Sequence, residues 1–422
     1  MVNRLLSILT LFFCAITSKA TAQTLLSEIF NSNINTVKVS PLNNIYFPPI
    51  WVMGQYDNPL VFSFDDLSED RKYLRCSIVH CNSDWQQSQL QESEYTNSFN
   101  FHDIENYEFS ANTFVHYAHY SFQLPNNDID ILRSGNYIVK VYEQDAPDDI
   151  LFQTRFSVCE NSLMVTPTVS SRTEIDYNEQ HQQLSVTITD NSNSIRDPYN
   201  DLRLVVSQNS RTDNEKTITS PLMVSGNKIT YDHNRNLIFP AGNEYRRIET
   251  VAIHAPSMGV ANMQYHHPFY HAMLYTDEMR NDEPYHYDST QHGHFTIRNW
   301  ESEHSDVEAD YVVTHFSLNT GGPITGGEIY LDGEFTSHKF SPRYRMRYDA
   351  SEGMYTAELL LKQGAYNYQY LWVPDGSNVG QTSRIEGDKF QTVNEYLVKV
   401  YQRSPGDRYD RFVGFGIVFS GK

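Results

Sequence analysis

The sequence predicts an all-β protein built from a row of antiparallel β-sandwiches. Apolar and polar residues alternate with a period of two along most of the chain, which is the spacing of side chains on one side of a strand. Leu184, Val186 and Ile188, for example, alternate with serine and threonine. Turn residues interrupt these runs at short intervals, and helical patterns are limited to short candidates at residues 24–31 and 87–95. These features are typical of half-buried antiparallel strands.

The first 22 residues have the features of a secretory signal peptide. Arg4 supplies a positive charge, residues 5–17 form an apolar run, and an A-x-A site ends at Ala22. We therefore expect cleavage between Ala22 and Gln23 and export of the mature chain. No later apolar run approaches the roughly 18 residues of a spanning helix, so no direct membrane span is expected.

Shifts in pattern and composition divide the rest of the chain into three predicted units. The first covers residues 23–160, and the second, richer in Asn, Arg and His, covers residues 161–300. The third covers residues 301–422 and opens with a polar, acidic linker. No repeat of fixed period indicates a solenoid. The strands are short and carry polar residues on their second face, which disfavours a membrane-spanning barrel for this chain.

Composition and charge exclude several classes of function. The chain has 422 residues, of which 39% are hydrophobic, and a formal net charge of −20. That apolar content is too high for a disordered protein. Binding to nucleic acid or to anionic lipid needs basic surface, and acidic residues are in excess here.

Three cysteines follow the predicted leader: Cys76, Cys81 and Cys159. If Cys76 and Cys81 lie on one strand they are about 16 Å apart, too far to bridge each other. Cys159 is then free to pair with either of them, or all three thiols are reduced. The count is too low for a disulfide scaffold.

Signatures of catalysis and of ligand binding are absent from the sequence. We find no nucleophile elbow, no H-E-x-x-H motif, no phosphate-binding loop and no dinucleotide fingerprint. Eight of the 16 histidines lie between His254 and His304, but their spacing is more typical of a polar surface loop than of a metal site. The calcium-loop pattern that starts at Asp232 fails because Leu237 stands where glycine is required. We therefore predict no catalytic residue, no metal, no cofactor and no small-molecule substrate.

The third unit resembles the early-set immunoglobulin-like domains, a group that includes starch- and glycogen-binding modules. The resemblance lies in the runs Gly327–Phe335, Tyr355–Leu361 and Gly364–Tyr370. It implies an immunoglobulin-like sandwich. His338 stands where those modules carry a sugar-stacking tryptophan, which counts against carbohydrate binding.

The chain as a whole resembles the plug protein of the bacterial type IX secretion system, because matching runs follow in order along nearly its entire length. The matching runs are VFSFDDL (61–67), VHCNSDW (79–85), EY (94–95), YEFSANTFVHY (107–117), LPNNDIDILRSGNYIVKVYE (124–143), QNSRTDN (208–214), FPAGNEYR (239–246), EADYVVTH (308–315), LKQGAYNYQY (361–370) and RYDRFVG (408–414).

This resemblance implies a periplasmic, non-enzymatic protein. It would close the inner mouth of a very large outer-membrane β-barrel translocon while no substrate is being exported. The implied partner is that translocon, and the implied mode of binding is protein–protein interaction.

Within the matching runs, four polar residues are candidates either for capping turns or for contacting the translocon: Asp65, Asp66, His80 and Asp84. Five aromatic residues are expected in the core because of the usual burial of such side chains: Trp85, Phe109, Phe114, Tyr117 and Tyr137. Three glycines are expected at turns that need positive φ: Gly135, Gly242 and Gly364.

Two alternatives remain open at this point. The first is a periplasmic or envelope glycan-binding or scaffold protein built on the early-set domain. The second is an exported hydrolase whose site is assembled from scattered residues.

Overall fold

The structure is a computed structural model that describes residues 24–68, 70–97 and 99–421. The predicted cleavage site between Ala22 and Gln23 lies outside these residues. The all-β prediction is confirmed, since strands dominate and the α-helices are single turns. No helix in the described residues is long and apolar enough to cross a membrane.

Ten strands and one helical turn form the first part of the chain. They are β1 (Glu28–Ile29), β2 (Ile34–Pro41), β3 (Ile50–Val52), β4 (Leu60–Asp66), β5 (Leu74–Cys81), α1 (Glu92–Tyr95), β6 (His102–Ile104), β7 (Tyr107–Phe109), β8 (Ala118–Leu124), β9 (Gly135–Glu143) and β10 (Ile150–Cys159). The helix predicted at residues 87–95 is thus reduced to its last turn. The one predicted at residues 24–31 is wrong, because that segment contains β1, which pairs with β10.

Twelve further strands and one helical turn follow. They are β11 (Met164–Ser170), β12 (His181–Thr189), α2 (Pro198–Asp201), β13 (Leu202–Gln208), β14 (Lys216–Ile218), β15 (Met223–Ser225), β16 (Lys228–Tyr231), β17 (Ile238–Pro240), β18 (Arg246–Glu249), β19 (Val260–His266), β20 (Phe269–Leu274), β21 (Asp277–Glu278) and β22 (Phe295–Ile297).

The last part of the chain comprises α3 (Ser305–Glu308), β23 (Tyr311–Asn319), β24 (Gly327–Asp332), β25 (Arg347–Asp349), β26 (Met354–Lys362), β27 (Gly364–Pro374), β28 (Glu395–Gln402) and β29 (Arg411–Phe419). Single 3₁₀ turns lie at Arg235–Leu237, Glu334–Thr336 and Pro342–Tyr344.

The first sandwich is formed by two sheets from residues 28–159. One has the order β1-β10-β9-β5-β6 with β3 beside β10, and the other has the order β2-β4-β8-β7. Aromatic side chains fill the space between them: Phe62 stacks on Phe122 with ring centroids 4.9 Å apart, and Phe62 also meets Phe156 edge-on. Burial of such large apolar side chains is the main source of stability for a sandwich of this kind.

The second sandwich joins segments that are far apart in the sequence. One sheet has the order β11-β12-β16-β15 with β17 beside β12, and the other has the order β14-β13-β28-β29. Strand β28, the second-last strand of the chain, is buried along its whole length and pairs with β13. The sandwich core therefore contains Leu184 and Val186 together with Val398 and Val400.

The third sandwich is inserted between β17 and β28 of the second. One of its sheets is centred on β27, which pairs with β18, β22 and β24, and the other has the order β19-β20-β23-β26-β25 with β21 beside β23. The predicted boundary at residue 300 does not coincide with these sandwiches, because the sheets pair strands from both sides of it. Alternation of apolar residues predicts that a segment is a strand, but not which sheet the strand joins.

The three cysteines of the described chain, Cys76, Cys81 and Cys159, are free and buried. Burial raises the pKa of Cys81 and of Cys159 to about 12, so both thiols are protonated at neutral pH. Their role is that of small apolar core side chains.

Candidate partner interface and interdomain contacts

Asp65, the first of the predicted interface residues, lies at the contact between the first and third sandwiches and is completely buried. Its Oδ2 accepts hydrogen bonds from Lys362 Nζ at 2.6 Å and from Tyr311 Oη at 2.7 Å. Its Oδ1 lies 2.7 Å from His119 Nδ1. Strand β4 places the carboxylate here, and β23 and β26 of the third sandwich bring Tyr311 and Lys362 to it.

The electrostatic environment keeps the Asp65 carboxyl ionised. Burial by itself raises the pKa of this group, but the charge of Lys362 and the interactions with His119 outweigh that effect, so the pKa lies below its ordinary value. A charged pair taken out of water in this way is stable only while both partners are present. The contact therefore fixes the first sandwich against the third.

Asp66 and His80 are also buried and have partners within the chain. Lys72 Nζ lies 2.9 Å from the Asp66 carboxylate. His80 Nδ1 lies 2.8 Å from Ser88 Oγ, and His80 Nε2 lies 3.0 Å from the carbonyl oxygen of Ser134. Burial lowers the pKa of His80 to about 4. The imidazole is neutral at pH 7, so Nε2 donates to the carbonyl and Nδ1 accepts from the serine hydroxyl.

Asp84 is the exposed member of the predicted set. It accepts a hydrogen bond from the backbone of Gln86 at 3.1 Å and so also caps a turn. The structure thus places Asp65, Asp66 and His80 inside the protein, where they contact other parts of the same chain. A contact of Asp84 with a partner stays a proposal.

The first and second sandwiches are joined by a second set of buried polar contacts. Ser83 donates to Asp410 Oδ2 from its backbone nitrogen at 2.9 Å and from its hydroxyl at 2.6 Å. Tyr401 Oη donates to Asn136 Oδ1 at 2.7 Å. These residues come from β9, β28 and the loops that follow β5 and precede β29.

A third set joins the loop after β7 to the start of β23. The backbone nitrogens of Phe114 and Val115 donate to the Asp310 carboxylate at 2.6 and 3.0 Å. Tyr117 Oη donates to the carbonyl oxygen of Ala309 at 2.7 Å. Residues 308–315 and 107–117, two of the runs that carry the family resemblance, therefore meet in space.

Sequence reasoning missed the partners of Asp65 and Ser83, namely Lys362, Tyr311 and Asp410. One signal was present: Lys362 directly follows the apolar residues Leu359, Leu360 and Leu361. A lysine at the end of a buried strand has to find an anionic partner or reach solvent.

A cavity of about 180 Å³ lies where the three sandwiches meet. Its charged groups are engaged within the protein. Lys399 Nζ lies 3.9 Å from the Glu215 carboxylate, and Arg155 Nε donates to the carbonyl oxygen of Leu25 at 2.9 Å. The Arg155 guanidinium also stacks over the ring of Trp85 at 4.2 Å. The cavity is accordingly part of the contact between sandwiches.

The histidine-rich segment does not form a metal centre in the part of the chain that the structure describes, where no three metal-type ligands are arranged around a common point. His271 Nδ1 lies 2.8 Å from His315 Nε2, and His315 lies 3.3 Å from Glu358. His294 is instead buried against Glu334.

The expectation of a core position is wrong for two of the five aromatic residues. Trp85, Tyr117 and Tyr137 are buried, whereas Phe109 and Phe114 are each 48% exposed. The Phe114 backbone is held by Asp310, and the Phe114 ring packs at the surface against the rings of Tyr265 and Tyr270.

Two of the three predicted turn glycines have positive φ, Gly135 at +142° and Gly242 at +62°. Gly364 is not among the glycines with positive φ. It is required for a different reason, because a Cβ there would lie 2.3 Å from the carbonyl oxygen of Thr296 on the paired strand β22.

Comparison with known families gives a match to the first sandwich. Residues 34–160 match the family described as "Type 9 secretion system plug protein 1st domain". The first sandwich therefore belongs to the type 9 secretion system plug protein family. Membership of this family links the chain to type 9 protein secretion.

A solved structure extends the similarity to nearly the whole chain. The crystal structure of a hypothetical protein from Parabacteroides merdae, at 2.30 Å resolution, is 40% identical in sequence and superimposes with a TM-score of 0.92. The similarity covers 94% of this chain and 100% of that one. No curated protein matches the chain.

Proposed function

We propose that this protein is a non-enzymatic plug that seals the periplasmic opening of the outer-membrane translocon of the type IX secretion system while no substrate is exported. The observation that carries the proposal is the family match over residues 34–160. The proposed location is the periplasm, and the proposed partner is the large outer-membrane barrel of the translocon. The leader predicted at residues 1–22 supports export across the inner membrane.

The contacts between the sandwiches support the proposed role as a plug. Domains joined by small polar interfaces generally move relative to one another. Here, buried charged contacts such as Asp65–Lys362 and Ser83–Asp410 hold the first sandwich to the other two. A rigid body of three sandwiches resists deformation, which a seal over a wide pore requires.

The alternative, a glycan-binding module, finds little support at the position where the related modules stack a sugar. His338 is buried, and its Nδ1 lies 2.9 Å from Asp332 Oδ1. A ring held in this way offers no flat exposed face for a sugar.

The proposal is tested by a tagged pull-down from detergent-solubilised membranes of the native host, with partners identified by mass spectrometry. Stoichiometric recovery of one very large outer-membrane barrel is the expected result. Recovery of no barrel, with the chain free in the periplasm or retained on glycan, would contradict the plug and favour the envelope-binding alternative.

A further inference from the structure

Strand β19 is the outermost strand of the sheet β19-β20-β23-β26-β25. Its inner edge pairs with β20 from Val260↔Leu274 to His266↔Phe269. Within the described part of the chain, no backbone or side-chain group hydrogen-bonds to the backbone of residues 261–266 along the outer edge. An open edge of this kind presents a row of backbone donors and acceptors whose natural complement is another strand.

The edge lacks the charges that proteins use to prevent such pairing. Residues 250–276 contain no Asp, Glu, Lys or Arg, although 20% of the whole chain is charged. The strand at the other end of the same sheet, β25, carries Arg347 and Asp349. A bulge between Val260 and Asn262 interrupts the start of β19, but pairing is regular from Asn262 to His266. Natural edges are usually blocked by charge or proline.

The side chains beside this edge are exposed and aromatic. The rings of Phe114, Tyr265 and Tyr270 form a cluster with centroid distances of 5.0 to 5.3 Å. Phe114 is 48% exposed and Tyr265 is 44% exposed. Clustered exposed aromatic side chains are typical of protein–protein interaction sites.

We propose that the outer edge of β19 binds an extended, uncharged segment of the translocon, which adds as a further strand to the sheet. The unpaired backbone of residues 261–266 recognises the main chain of that segment, and the aromatic cluster contacts its apolar side chains. A segment without acidic side chains avoids electrostatic repulsion by a protein whose net charge is −20. Pairing of two copies of this chain is opposed by that same charge. This inference rests on the proposed function.

The test uses two matched double variants of the full chain in the pull-down from host membranes. Asn262→Lys with Gln264→Lys places two charges on exposed positions of β19. Met223→Lys with Ser225→Lys does the same on β15, an edge strand of the second sandwich. We expect recovery of the translocon barrel to fall at least tenfold for the β19 variant and to match the unmodified chain for the β15 variant.

The outcomes separate this inference from the proposed function. Equal recovery of the barrel with the unmodified protein, the β19 variant and the β15 variant would contradict the proposed binding site at β19. It would leave the proposed plug function intact. Failure of the unmodified chain to recover a barrel contradicts both. Thermal melting of the purified variants checks that each is folded. As a second measurement, a photoreactive phenylalanine analogue at Gln264 is expected to crosslink to the barrel, and a crosslink to another copy of this chain would overturn the proposal.

Discussion

Lys362 Nζ donates a hydrogen bond of 2.6 Å to Asp65 Oδ2 across 297 residues of sequence. Both side chains are at most 1% exposed, and they belong to different sandwiches. The pair therefore holds the family-matched first sandwich against the third sandwich.

Removing one member of this pair is expected to destabilise the protein by about 3–5 kcal/mol, because the other charge is left buried without a partner. Asp65→Asn and Lys362→Met should each show this loss in urea unfolding at pH 7. The double variant should cost less than the sum of the two single variants. The matched control is Lys339→Met, which breaks the partly exposed ion pair with Glu28 and should cost under about 1 kcal/mol. Equal losses for Lys362→Met and Lys339→Met would contradict the role of the buried pair.

The buried carboxylate of Glu386 should make the stability of the protein fall at low pH. It is fully buried, and although burial raises its pKa, Arg246 and Arg280 outweigh that effect and lower the pKa to about 2 from 4.5. The ionised Glu386 carboxylate therefore contributes about 3 kcal/mol to the free energy of unfolding. This contribution is complete above pH 4.5 and is lost as the pH falls toward 2.

The measurement is the free energy of unfolding of Glu386→Gln and of the unmodified chain between pH 7 and pH 3. The difference between them should be largest at pH 7 and should shrink by more than half at pH 3. Glu352→Gln, at an exposed turn position, is the control. A difference that does not change with pH would show that the carboxylate charge is not what stabilises this site.

Gly135→Ala is expected to destabilise the protein by more than about 2 kcal/mol. The residue has φ +142°, and a Cβ would lie 2.6 Å from His80 Nε2, which would break the hydrogen bond to Ser134. Gly54→Ala is the control, since Gly54 also has positive φ but has open space around its Cβ position. Thermal melting compares the two, and an equal cost would mean that backbone strain alone accounts for the effect.

Charge reversal at Glu358 should leave binding to the translocon unchanged. The side chain is 69% exposed and its carboxylate lies 3.3 Å from the His315 imidazole, and surface charges of this kind contribute little. Recovery of the barrel with Glu358→Lys should equal that with the unmodified chain. A clear loss would place this face of the third sandwich, rather than its β19 edge alone, in the interface.

The strands were predictable because apolar alternation reports burial on one face. Leu184, Val186 and Ile188 are all completely buried, as their spacing predicts. In β27, Tyr366, Tyr368 and Tyr370 alternate with Asn367 and Gln369, which predicts one buried and one exposed face. Its polar residues Asn367 and Gln369 are also buried, where they hydrogen-bond to Gln291 and Asp332.

The interdomain contacts were not predictable, because they depend on which distant strands meet. From the sequence alone, an aspartate such as Asp65 is expected at the surface. Its burial is explained only by the contact with Lys362 in the folded structure. Likewise, the usual burial of aromatic side chains predicts a core position for Phe114, but its ring packs at the surface against Tyr265 and Tyr270, which are distant in the sequence. The insertion of the third sandwich into the second leaves no local signal in the sequence, since it is set by the pairing of β13 with β28.

If this protein closes the translocon pore, its binding must reduce the flow of ions through the barrel. The most direct measurement is the ion conductance of the purified translocon in a planar bilayer, before and after the mature protein is added to the periplasmic side. We expect the conductance to fall when the protein reaches a one-to-one ratio with the barrel. An unchanged conductance with the protein demonstrably bound would contradict the seal.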